Sequence, residues 1–128
     1  MSYTFTKVLN ASMNDAVERV TAALAAKGFG VLTTIDVKAT LKKKLDVDFR
    51  PYVILGACNP EFAHQALQHE DKIGAMLPCN VVVQKLDEDR VEVSAVDPVA
   101  SMQAVDNPKL GAVATEVRDR LKSVVDNL

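Results

Sequence analysis

At 128 residues, 48% of them hydrophobic and 25% charged, the chain is long enough to bury one core and too apolar to stay disordered. A net charge of −2 supplies no overall field to draw it onto nucleic acid. Its longest apolar run, Val53 to Cys58, is six residues, far short of a membrane span. No apolar leader opens the sequence, so the expected setting is a reducing cytoplasm with Cys58 and Cys79 as free thiols.

Residues Tyr3 to Val8 alternate between aromatic and threonine positions, the pattern of a half-buried strand. Ser12, with Asp15 three residues on, forms a capping pair before Met13, Ala16, Val17, Val20 and Leu24 at helical spacing. Gly28 closes that helix as a left-handed cap. Val31 to Ile35 is a short β-rich segment, and Asp36 caps a second helix in which Val37, Leu41 and Leu45 share a face. Lys38, Lys42, Lys43 and Lys44 cover much of the remainder. They read first as a solvated surface and second, with Arg50, as an anion-binding face. Phe49 and Tyr52 are too few aromatics to argue base stacking.

Tyr52 to Cys58 is almost wholly apolar and reads as an interior strand covered on both faces. Asn59-Pro60 starts a helix, with Asn capping and Pro losing no needed N–H, and Phe62, Ala63, Ala66 and Leu67 form its buried stripe. Residues 73–77 are ambiguous around Gly74. Cys79 to Leu86 and Val91 to Val96 form an antiparallel hairpin closed by a polar reversal at 87–90. Asp97-Pro98 ends it, and residues 99–106 connect, with about one helical turn, to a second Asn-Pro start at Asn107. The longest stripe follows: Leu110, Val113, Ala114, Val117, Leu121, Val124, Val125 and Leu128. The order β-α-β-α-β-α-β-β-α within a single domain, 1–128, predicts an α+β fold, a mixed, largely antiparallel sheet with helices packed on it. A doubly wound parallel sheet is second choice.

Chemistry-bearing residues gather where strands end. Cys58 meets the start of the third helix, whose unpaired N–H groups favour a thiolate; burial as a small hydrophobe is the plainer reading for it and for Cys79. Cys58, His64 and Cys79 match no usual zinc spacing and no CxxC is present, so no metal and no cofactor is expected. A Cys58–Cys79 disulfide is geometrically allowed if the strands adjoin, though a reducing setting opposes it. Asn59 reads as a cap. Asn80 has less structural reason to exist, because Asn is disfavoured in strands, and is the better ligand candidate. Asp36 and Asp97 each follow a strand, where a carboxylate caps the next element or lines a pocket. Phosphate-loop, dinucleotide, zinc-protease and serine-hydrolase signatures are absent.

The runs Lys27 to Lys42, Asp48 to Pro60 (ending Gly-Ala-Cys-Asn-Pro), Leu77-Pro-Cys-Asn-Val and Ser94-Ala-Val-Asp-Pro resemble the bacterial and archaeal family known as domain of unknown function 302. The resemblance spans essentially the whole chain. It implies an α+β domain that forms a homodimer, with no established activity. Its signature positions here include Gly30, Asp36, Pro51, Cys58, Asn59, Pro60, Pro78, Cys79, Asn80 and Asp97. The expected function is a small dimeric ligand-binding or interaction module with a pocket near the two Cys-Asn stretches and no nucleic-acid or membrane partner. The alternatives are a thiol-dependent enzyme or redox sensor using Cys58 and Cys79, and a purely structural dimer domain.

Overall fold

A computed structural model describes residues 2–128. Within them the chain forms five strands, β1 (Thr4–Leu9), β2 (Gly30–Asp36), β3 (Tyr52–Cys58), β4 (Cys79–Lys85) and β5 (Val91–Val96). Between and after these come helices α1 (Met13–Ala26), α2 (Val37–Leu45), α3 (Pro60–His69), α4 (Pro98–Ser101) and α5 (Gly111–Asp126). Tight 3₁₀ turns occupy Ile73–Met76 and Pro108–Leu110. The five strands lie in the order β1-β5-β4-β3-β2, every neighbouring pair antiparallel. This is an α+β fold with helices on a sheet; the parallel alternative is excluded.

The local signals act as their chemistry dictates. Ser12, Asp36, Asn59 and Asp97 each accept a backbone N–H of the following helix, so four helix starts are capped by the residues that the sequence singles out. Gly28 adopts φ +86°, the left-handed conformation that lets α1 stop and β2 begin. Lys7 Nζ donates to the carbonyls of Asp126 (3.1 Å) and Leu128 (2.7 Å), a cation against the negative end of α5.

The main core lies between one sheet face and α1 and α5. Leu9, Val81, Val83, Val91, Val93 and Ala95 project from the strands onto Val20, Leu24, Leu121 and Val125. A second, smaller cluster joins Ala66, Ile73 and Leu110, with Leu77, Met102 and Val113 against it. Asn107 links the two helices around it: its Nδ2 donates to the His69 carbonyl at the end of α3 (2.8 Å) while its Oδ1 accepts from Lys109 N–H (3.0 Å).

The opposite sheet face is open and half polar. The Thr6 and Ser94 hydroxyls share a hydrogen bond across β1 and β5 (2.9 Å), Gln84 Nε2 donates to Glu92 Oε1 (3.3 Å), and Arg50 Nε donates to Gln84 Oε1 (2.9 Å). Two expectations change here. The interior strand Tyr52 to Cys58 is buried through Leu55, Gly56 and Ala57 only, because nothing covers the outer ends of Tyr52 and Ile54 fully. Helix α2 buries none of its residues, and Leu45, at the end of its apolar stripe, is 66% exposed. Val37 and Leu41 are half-buried beside β2 and β3, and only the Leu45 end of the stripe stands open.

Candidate functional site

A crevice opens where the ends of β3 and β4 meet α3, α4 and α5. Its walls are Phe29, Ala57, Cys58, Asn59, Phe62, Ala63, Ala66, Leu77, Pro78, Cys79, Pro98, Met102, Val113, Ala114 and Val117, and Asn59 is the only amide among them. Several of these residues belong to the main core and others to the smaller cluster, so the crevice is the seam where the two packing units fail to close fully. Side chains of different lengths meet there from five elements, and such seams are where pockets of folded domains form. The interior is narrow, a cavity of about 30 Å³.

Both Cys-Asn stretches reach this end of the sheet, because Ala57 pairs with Cys79 and Gly56 with Asn80 across β3 and β4. Gly56 makes that pairing fit. A Cβ there would collide with the Thr33 hydroxyl and stand 2.8 Å from Pro78 Cγ, so only a bare backbone can lie between β2 and Pro78. The Leu77–Pro78 peptide is cis.

The six candidate residues separate into three groups. Cys58, Asn59 and Cys79 line the crevice. Asp97 lies at the same end of the sheet, its N–H donating to the Tyr3 carbonyl (2.8 Å), but its carboxylate is spent on capping Val99 N–H (2.9 Å). It is the following Pro98 that enters the wall. Asn80 and Asp36 are not brought in. Alternation along β4 sends Asn80 to the exposed face when Cys79 is packed inward. It borders a separate shallow hollow with Met76, Val96 and Ser101. Asp36 pairs with Val53 at the far end of β3, five residues from Cys58 or about 17 Å of strand. There it caps α2 by accepting from Ala39 N–H (2.9 Å).

Both thiols are free. Burial pushes the Cys58 thiol above its ordinary value, and pushes Cys79 to about 11, with repulsion from the Cys58 charge adding to it. Desolvation at Cys58 thus works against the thiolate that the start of α3 would favour. His64 and His69 are exposed, and no cluster of three or more His, Cys, Asp or Glu suited to a metal exists among the described residues.

A family model, Domain of unknown function DUF302, matches residues 5–128. The chain belongs to the DUF302 family. A crystal structure of an uncharacterized conserved protein DUF302 from Bacillus stearothermophilus is similar to this DUF302 chain at 30% identity and a TM-score of 0.89, covering 98% of each chain. No curated protein matches. No helix among the described residues is long and apolar enough to cross a membrane.

Sequence reasoning missed the residues that complete this DUF302 site from afar. Met102, Val113 and Val117 form its far wall, and Arg120 stacks its guanidinium 4.8 Å from the Phe62 ring centre at the rim. Val113 and Val117 were visible as helix stripe, but nothing in the linear sequence connects Arg120 to Asn59, sixty-one positions away.

Proposed function

We propose that this DUF302 chain is a small-ligand binding module that works as a homodimer in the cytoplasm and holds its ligand in the apolar crevice. The observation that carries this reading is the composition of the walls: carbon and sulfur from five elements, and a single amide. A concave, nearly uniform apolar lining favours an apolar group, with the amide fixing its orientation. The narrow interior means that the walls part on binding. Met102, unbranched and flexible, and the half-buried Phe62 are the side chains that can move without breaking a strand.

Support for the dimer comes from the other end of the sheet. The edge strand β2 has no charge from Gly30 to Ile35, exposes Leu32 and Ile35, and stands beside the exposed Leu45 and Val47. The opposite edge, β1, carries Lys7 and is tied to α5. An uncharged edge flanked by apolar side chains fits a second copy of itself about a two-fold axis, since the same patch then serves both sides.

Binding is tested by titrating the protein with small apolar fragments and following amide NMR shifts. Shifts should concentrate at Ala63, Met102 and Val113, and should vanish in Ala63→Phe, which fills the crevice; fragments that shift nothing there at millimolar concentration would overturn the reading. Light scattering tests the dimer: a mass near twice 13.9 kDa is expected, falling to one chain in Leu32→Lys with Ile35→Lys.

Thiol-dependent chemistry is the second reading. It is favoured by two free sulfurs close enough for the charge of one to raise the other, and opposed by the upward displacement of both. Alkylation against pH decides it. A site that reacts below pH 8 in the folded protein is required.

A further inference from the structure

The crevice gathers three sulfur side chains: Cys58 from the end of β3, Cys79 from the start of β4 and Met102 from the end of α4. Ala57 and Cys79 are cross-strand partners, so Cys58 stands one residue off register from Cys79, with Cα atoms about 6 Å apart. A continued strand would turn Cys58 away by its pleat. The strand ends there instead, and Cys58 shares the crevice wall with Cys79. Burial is the main cause of the raised Cys79 thiol and charge on Cys58 adds to it, so the two sulfurs are near enough to interact. The other walls are hydrocarbon apart from the Asn59 amide, with no carboxylate and no imidazole among them.

We propose that this sulfur-lined part of the crevice binds one soft monovalent metal ion, copper(I), between Cys58 and Cys79, with Met102 as a third and weaker ligand. The ion shares the crevice with the apolar ligand proposed above but does not depend on it. Ligand softness selects the ion. Thiolate and thioether sulfur suit copper(I), whereas calcium and magnesium need oxygen ligands that these walls do not carry. Zinc asks for four ligands, or three and a water, and finds two strong ones. Two thiolates satisfy a soft monovalent ion.

Size and access fit as well. An interior of about 30 Å³ admits a bare ion with the walls at rest, whereas an organic ligand must part them. Cys58 is half-exposed at the rim and Cys79 is 7% exposed behind it, so an ion taken by the outer sulfur reaches the inner one next. Each thiol gives up its proton as its sulfur bonds the ion, so two protons leave for one copper and no electron is transferred. The ion's positive charge then offsets burial and mutual repulsion, the two causes that keep Cys79 protonated.

The test transfers copper(I) anaerobically from its coloured bicinchoninate complex to the reduced, folded protein. One ion per chain is expected, and native mass spectrometry should show two protons displaced with it. Both thiols keep their protons below pH 8, so affinity should rise with pH, about a hundredfold per unit from pH 6.5 to 8. Cys58→Ser and Cys79→Ser should each lower affinity by more than about a hundredfold and leave a slope of about tenfold per unit. Met102→Leu, close in volume, should lower affinity about tenfold and keep the full slope. Circular dichroism verifies that the variants fold. Wild type in urea separates an assembled site from two loose thiols: the folded protein should hold copper at least about tenfold more tightly. Equal affinity in folded and unfolded protein, or a tenfold slope in wild type, would overturn the ion site. If apolar fragments still shift Ala63 and Val113 in that case, the binding module stands. Copper bound as expected while fragments shift nothing supports the ion site and overturns the apolar ligand alone.

Discussion

Cys58-Asn59 and Cys79-Asn80 are the same dipeptide with opposite fates. In β4 the pair lies within the strand, so the two side chains take opposite faces: Cys79 is buried opposite Ala57 and Asn80 is exposed opposite Gly56. In β3 the strand ends at Cys58, and Asn59 turns from pleated backbone into the cap of α3. One asparagine is thereby nearly buried as a helix cap, and the other is a solvated strand residue. Position relative to the strand end, not residue type, separates a crevice-lining group from a surface one. Only Asn59 faces the crevice.

The largest effect is expected where the two stretches are cross-strand neighbours. Gly56→Val forces a branched side chain against Thr33 and Pro78 and should cost about 3 kcal/mol or more, measured by urea denaturation. Gly74→Ala, where an added Cβ meets nothing, should stay within about 0.5 kcal/mol. Equal losses at both glycines would deny the close approach that joins the two stretches.

Next in size is the difference between the two sulfurs. Cys79→Ser places a hydroxyl in an apolar wall and should cost about 1–3 kcal/mol, whereas Cys58→Ser at the half-exposed rim should cost less than about 1 kcal/mol. The same burial makes a pH prediction. Cys79 is raised from 9.0 to about 11 in the folded protein. Below pH 9 both states keep the proton and stability is unaffected. Between pH 9 and 11 the unfolded chain releases it and the folded one does not, so stability falls as pH rises, by on the order of 2–3 kcal/mol in total. Melting curves of wild type and Cys79→Ala at pH 8 and pH 11 isolate this part, and the variant should lose less on the alkaline side. An alkylating reagent at pH 8 should label Cys58 before Cys79.

The smallest effects separate the asparagines themselves. Asn59→Ala removes a helix cap and should cost about 1 kcal/mol. Asn80→Thr exchanges a poor strand residue for a good one on an open face and should be neutral or stabilising by a few tenths of a kcal/mol. The reverse ranking would mean that Asn80, not Asn59, is the embedded group.

Much of the fold was legible because its signals are local. Caps at Ser12, Asp36, Asn59 and Asp97, the turn at Gly28 and the stripe of α5 each depend on residues within about one helical turn of one another. Cys58 and Cys79 also came together as anticipated at one lip of the sheet, since consecutive apolar strands pair more often than not. The exclusion of Asp36 was not legible. Its distance from the sulfurs follows from antiparallel pairing of β2 with β3, which sets the end of one strand against the start of the other. Nor was the exposure of α2, whose stripe of Val37, Leu41 and Leu45 is indistinguishable in sequence from one that finds a core.

The sequence by itself determined most helices and strands and the caps that start them, leaving residues 73–77 open, and that both cysteines belong to apolar walls, because backbone preference and hydrophobic period act over a few neighbouring residues. Tertiary structure alone decided that Asn59 and Arg120 flank the bare backbone of Gly28 and that Asn80 looks away. Those relations depend on strand order, pleat and helix packing between residues scores of positions apart, and no short-range pattern encodes them.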